Sequence, residues 1–275
     1  MAGYEMRQGR RAFLALCLAA LVCAGPASAQ NAERCPRLVS QSPLRLLQPV
    51  SFQLAQAQSG EVRITFVGHS TFLIESPGGI KIATDYNDYV RPDTIPHIAT
   101  MNRAHSTHYT LNPDPGIKHV LHGWGSGDTP AKHEVEIGDV WLRNVPTNIR
   151  DWAGGTIPDG NSIFVFEVAG LCIAHLGHLH HTLAPAHLDA LGRIDVVLVP
   201  VDGSFTLNTE GMVEVLKQID APLAIPMHVF GEATLARFLE KTGSIYEVKR
   251  AETPTLPVSR KTLPKQRTMI VLPGR

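Results

Sequence analysis

The sequence predicts a layered α/β protein with helices outside paired sheets, and three observations carry that expectation. β-rich runs come first and form a meander. Strands then alternate with amphipathic helices toward the C-terminus. The composition, 44% hydrophobic and 18% charged over 275 residues, is that of a globular chain long enough to bury a substantial core. Basic and acidic residues balance at 25 each, so nothing in the net charge favours phosphate backbones or anionic lipid, and nucleic acid is not an expected partner. Thirteen histidines are the one unusual entry.

Residues 1–29 read as an export signal. Arg7, Arg10 and Arg11 precede an apolar run from Ala12 to Ala24, and Ala27-Ser28-Ala29 offers a small-x-small cleavage site. The run is shorter than the roughly 20 residues needed to cross hydrocarbon, so no stable membrane insertion is expected after cleavage, and the expected location is periplasmic or secreted. Arg10-Arg11-Ala12-Phe13-Leu14 also resembles a twin-arginine signal. Without the signal, acidic residues outnumber basic ones by two, and only Cys35 and Cys172 remain. They can form one bridge in an oxidising compartment or stand as unrelated thiols, Cys172 then being buried in a strand. Residues 30–60, rich in Gln, Ser and Pro and without periodicity, read as an irregular extension to a domain over 61–275.

From Val62 the texture changes. Val62–Val67 and Ser70–Glu75 are β-rich runs joined at Gly68-His69, and Pro77-Gly78-Gly79 turns the chain into Ile80–Thr84, a meander ending at Asp85. Further strands are predicted at Ile98–Met101, Ile117–His122, Val135–Arg143, Ile163–Val168, Leu171–Ala174, Asp195–Val201 and Ala221–Pro226. Asn208 or Thr209 can cap a helix in which Met212, Val215, Leu216 and Ile219 recur at helical spacing. A second helix over Glu232–Lys241 repeats the pattern, with Gly243 as a plausible residue just past its end.

Histidines cluster after these strands. His105 and His108 follow Ile98–Met101, His178 follows Leu171–Ala174, and His228 follows Ala221–Pro226. Imidazoles at successive strand ends can converge on one sheet edge, and three such ligands with an open position form the usual plan of a catalytic zinc site. The bland alternative is that these histidines cap helices or fill a polar core.

The landmarks in order resemble the metallo-β-lactamase superfamily, in particular the branch similar to the ascorbate-phosphate lactonase. They are Ile64–Ile74 with Gly68-His69, Asp85 closing the third strand, Pro200-Val201-Asp202-Gly203 with Thr206, and Ile225-Pro226-Met227-His228. That resemblance implies a four-layer αββα sandwich with a two-metal site at one edge. The metal motif departs from the family's His-x-His-x-Asp-His: Arg103 and Thr107 stand at the first His and the Asp, Asn148 where a His is expected, and His178 at the bridging carboxylate. A guanidinium cannot ligate a cation, so the first metal site is expected to be empty.

What remains is one divalent transition metal, zinc before others, on His108, His178 and His228, with His105 as fourth ligand or proton carrier. The expected activity is hydrolysis of a small ester, lactone or phosphodiester through a metal-bound hydroxide, with Arg103 stabilising the developing anion. His69 is a candidate for lining the same edge. The competing reading is a metal-poor protein that binds an anionic ligand through Arg103, Asn148 and Arg150. β-Lactam hydrolysis is not expected, because the full ligand set is missing. His175, His180, His181 and Asp202 read as supporting or packing residues, and Trp124 and Trp152 as loop aromatics able to cover an apolar part of a substrate.

Overall fold

A computed structural model describes residues 60–274. The expected signal and nearly all of the expected extension lie outside the described residues. In chain order the strands are β1 (Val62–Gly68), β2 (Thr71–Glu75), β3 (Lys81–Ala83), β4 (Ile98–Met101), β5 (His119–His122), β6 (Glu134–Ile137), β7 (Val140–Arg150), β8 (Thr156–Val168) and β9 (Leu171–His175). Helix α1 (Pro185–Leu191) leads to β10 (Val196–Pro200), α2 (Thr209–Ile219), β11 (Leu223–Met227), α3 (Glu232–Thr242), β12 (Glu247–Arg250), β13 (Thr255–Val258) and β14 (Thr268–Val271).

Two sheets result, one in the order β13-β1-β2-β3-β4-β5 and one in the order β12-β14-β11-β10-β9-β8-β7-β6. Side-chain alternation assigns their faces. Phe164, Phe166, Ile173, Val196 and Leu198 pack against Ile64, Phe72 and Ile82 of the first sheet, forming the core between sheets. Their neighbours Ile163, Val165, Ala174, Val197 and Val199 face the opposite way, against Leu191, Met212, Leu216 and Phe238 of the three helices. Strands buried on both faces read as continuous apolar runs, which is why Val196–Pro200 shows no alternation in sequence. Among the described residues no helix covers the outer face of the first sheet. Loops carrying Tyr86 and Ile117 pack there on Ala83, Ala99 and Met101.

The meander is antiparallel from β1 to β3, whereas β3-β4-β5 and β9-β10-β11-β14 pair in parallel. The run predicted as one strand over Val135–Arg143 is instead a hairpin, because Gly138 turns at φ 57 and frees β7 to extend to Arg150. Helix α2 starts where expected, its Asn208 side chain accepting from Gly211 N at 2.8 Å. Gly243 does not provide the left-handed turn suggested for it: it sits at φ −60. Of the two readings for Cys172, the free thiol is the one set aside, since Cys172 is disulfide-bonded in β9 and its partner lies outside the described residues.

Candidate metal centre

Every histidine of the cluster hangs from the C-terminal end of a parallel strand, the edge at which ligands meet open α/β sheets. After β4 the chain folds into a tight turn, His108 N donating to His105 O at 2.9 Å and Asn102 N to His108 O at 3.1 Å, which brings the two imidazoles to one side. After β9, Gly177 takes φ 59 so that His178 can turn inward. A Cβ there would stand 2.4 Å from both Asn102 Nδ2 and Asn161 Oδ1, so only glycine fits. Asn161 Oδ1 then receives His178 N at 2.8 Å. After β11, His228 takes φ 57 and donates its N–H to His69 O at 2.6 Å. His69 at φ 52 and Asp85 at φ 43 share this left-handed conformation, which costs a non-glycine residue about 1–3 kcal/mol and gathers at functional sites.

One ring nitrogen from each of His105, His108, His178 and His228 lies within 4.8 Å of the other three. His108 Nε2 is 3.2 Å from His228 Nε2, and His105 Nε2 is 3.0 Å from His178 Nε2. Ligands about 2.0–2.1 Å from a tetrahedral zinc stand about 3.3 Å apart, close to both spacings.

The two pairs differ in what lies behind them. His108 Nδ1 faces Asp85 Oδ2 at 2.6 Å, and His228 Nδ1 lies 3.0 Å from Asp202 Oδ1, an electrostatic contact without hydrogen-bond alignment. Each carboxylate favours the proton on Nδ1 and leaves the Nε2 lone pairs facing one another across 3.2 Å. Two facing lone pairs repel unless a cation lies between them, so this donor set fits a metal ion. The other pair is backed by neutral groups. Arg150 N donates to His180 Nδ1 at 2.7 Å, His180 Nε2 reaches His178 Nδ1 at 2.5 Å, and His105 Nδ1 reaches Thr107 Oγ1 at 2.7 Å. The chain of contacts continues from Thr107 Oγ1 to His69 Nε2 at 3.0 Å.

Burial favours the neutral, ligating form of His105, His108 and His178. Desolvation, reinforced by the neighbouring histidines, holds His108 and His178 well below the usual imidazole range and lowers His105. Desolvation also lowers His69 and His180 to about 4. Asp202 is pushed the other way from its own burial. Although burial raises a carboxyl, the contact with His228, the Thr206 hydroxyl and the Ser204 N–H hold it well below the usual carboxylate range. Asp85, fully buried, is raised by desolvation against the opposing pull of His175 and Asn102.

A cleft of about 310 Å³ opens onto the exposed side of the cluster, lined by Arg103, His105, His178 and His180 among others. Two expected anion-binding residues are not free to serve there. Asn148 falls at a bulge between Thr147 and Ile149, and its Oδ1 accepts from Asp159 N at 3.0 Å, so its side chain does not line the cleft. Arg150 lines the cleft, but its Nη2 donates to the carbonyls of Ser204, Phe205 and Thr206 at 3.2, 3.4 and 2.7 Å. Arg103 has no ion-pair partner among the described residues. His69 lies tilted against His228 at 4.2 Å between ring centroids and lines a separate cleft with Phe66 and Leu235. The two carboxylates missing from the family motif thus have counterparts one residue further out, in Asp85 and Asp202. At the Asp202-Gly203 turn the N–H groups of Ser204, Phe205 and Thr206 converge on Asp202 Oδ2. His175 packs as expected, with Nε2 donating to Ser70 O at 2.9 Å.

Over residues 63–228 the sequence matches the beta-lactamase superfamily domain. It is similar to a UPF0173 protein of Pyrococcus furiosus, 27% identical over 186 residues that cover 61% of this chain and 83% of the relative. A UPF0173 metal-dependent hydrolase of Carboxydothermus hydrogenoformans is 24% identical over 195 residues, covering 61% and 84%. Among solved structures, a Thermotoga maritima protein assigned to the Zn-dependent hydrolases of the metallo-beta-lactamase superfamily has a TM-score of 0.58 at 28% identity, covering 78% of this chain and 100% of that one. The metallo-beta-lactamase fold protein YhfI of Bacillus subtilis, with a TM-score of 0.51 at 10% identity over 72% of this chain and 100% of its own, is a likeness of fold alone.

Proposed function

The chain belongs to the beta-lactamase superfamily, and from that premise we propose an exported metal-dependent hydrolase that takes one divalent transition metal, zinc first among candidates, on His108, His178 and His228, with His105 beside them as proton carrier. Its substrate is a small ester, lactone or phosphodiester seated in the cleft beside His105 and Arg103. The observation that carries this reading is the His108–His228 pair, two buried Nε2 atoms 3.2 Å apart with a carboxylate behind each ring. Bound there, a divalent metal supplies Lewis acidity and brings the pKa of a coordinated water toward neutrality.

The chain's own residues do the rest. Asp85 and Asp202 set the tautomers of the buried pair and contribute the negative charge that a dication needs in a desolvated site. His105, half-buried at the cleft floor and hydrogen-bonded to Thr107, is placed to move a proton between the reacting centre and the hydroxyl. Arg103 meets negative charge developing on the substrate oxygen. In the ester case water adds across the acyl–oxygen bond, yielding a carboxylate, an alcohol and one proton. Export is supported by the basic, apolar and small-residue signature of residues 1–29 and by the disulfide at Cys172, which persists in oxidising compartments.

Activity restored by metal is the test. Chelator-treated protein assayed on nitrophenyl esters, aryl lactones and bis-nitrophenyl phosphate is expected to be inactive, to recover on adding zinc, and to stay inactive as His228→Ala with an unchanged circular dichroism spectrum. Turnover that survives in His228→Ala contradicts the proposal.

A further inference from the structure

The hydrolase reading leaves the substrate's shape open, and the walls of the cleft narrow it. Among the described residues only a few large apolar side chains are exposed, and three stand around the histidine cluster: Trp152 at 93%, Phe230 at 56% and Phe205 at 52%. Trp152 and Phe205 line the cleft itself, together with Ile149 and Ile157. Phe230 pairs with Phe205 at 5.2 Å between centroids and stands edge-on to His228 at 4.9 Å, so aromatic surface continues from the cleft to the imidazoles. Trp152 sits in the turn between β7 and β8. There Asp151 Oδ1 accepts from Ala153 N at 2.8 Å and Gly155 N at 2.7 Å, and the indole is held out toward solvent. Apolar surface gathered beside polar groups marks a binding site.

The charge of the cleft is equally selective. Arg150 Nη2 is held by three carbonyls and Asp151 Oδ1 by its own turn, which leaves Arg103 as the lining cation whose guanidinium makes no hydrogen bond or ion pair among the described residues. A volume of about 310 Å³ lies at the small end of the range for small-molecule sites, roughly 300–1,000 Å³. We infer that the cleft takes a small aromatic monoanion, its ring between Trp152 and Phe205 and its carboxylate or phosphate-type group on Arg103. This inference rests on the hydrolase reading only for the bond that is then cleaved.

The test is calorimetric titration of the full chain, as purified and again after chelation, with three probes: 2-naphthoate, 2-naphthalenemethanol and acetate. Naphthoate, which has both ring and charge, is expected to bind at least about tenfold more tightly than either probe with one of them. Trp152→Ala and Arg103→Ala should each weaken naphthoate by about tenfold, Arg103→Lys should recover part of the loss, and chelation should leave the ranking unchanged. Equal affinity for the three probes, an unaltered Arg103→Ala, or loss of binding on chelation overturns the inference, the last by placing the carboxylate on metal. Metal content measured on the same samples keeps the two readings apart. A normal metal load without naphthoate binding sinks only the substrate class, and naphthoate binding without metal sinks only the metal.

Discussion

The two halves of the histidine cluster are built on opposite principles. His108 and His228 are fully buried and each faces a carboxylate, whereas half-buried His105 and buried His178 both line the cleft and are backed by a hydroxyl and a second imidazole. Negative charge is thus concentrated behind the half that water cannot reach, where an uncompensated dication would be most costly. The difference teaches where charge compensation can sit: with Thr107 and His178 in positions that carry carboxylates in the resembled motif, Asp85 and Asp202 act through the rings instead of touching the metal. On this account the buried pair anchors the ion and the open pair serves the substrate.

That contrast breaks first at its carboxylates. Asp202→Asn is expected to weaken zinc binding by about 10–100-fold, measured by competition with a chromogenic chelator, because His228 loses the charge that orients it. Asp85→Asn should fall in the same range, with an added loss of thermal stability, since Asn102 Nδ2 donates to Asp85 Oδ1 at 3.0 Å and would then face an amide. Affinity unchanged in both variants would remove the distinction between the pairs.

The open half is sharpened by Arg150. Its backbone N–H fixes His180 behind His178, and its side chain holds the carbonyls of the same turn whose N–H groups hold Asp202. Arg150→Met should therefore lower metal affinity less than Asp202→Asn and shift the visible spectrum of the cobalt(II)-loaded protein, a sign of altered ligand geometry. A purely structural arginine would lower stability and leave that spectrum in place.

The smallest expected effect is the pH dependence of stability in chelator-treated protein. Burial holds His69 and His180 at about 4 in the folded chain against about 6.5 unfolded. Between those values the unfolded chain binds more protons, so stability is full above pH 6.5 and falls as pH drops toward 4. The urea midpoint should be lower at pH 5 than at pH 7.5, and less so in His69→Gln. A midpoint independent of pH would mean that neither ring is neutralised by folding.

Much of the fold was legible because the meander and α2 carry strong local signals: alternating β-branched residues around glycine turns, and an Asn cap before a helical apolar stripe. Helix α1 is too short for such a stripe, and β12 to β14 are short strands on which periodicity has little purchase. That four histidines would cluster at one edge was legible from their places after strands. Asn148 was misplaced because a bulge, which leaves no mark in sequence, redirects its side chain into the hairpin. His180 and Asp202, read as supporting or packing residues, stand behind His178 and His228, although loops have no period from which to infer which ring each one backs.

The most direct measurement is metal content by mass spectrometry on protein purified without a metal-affinity tag, beside His108→Ala and His105→Ala. About one zinc-class ion per chain is expected, lost in His108→Ala and largely kept in His105→Ala, because the carboxylate-backed pair is the anchor. No metal taken up even from supplemented buffer, or equal loss from the two variants, would contradict it.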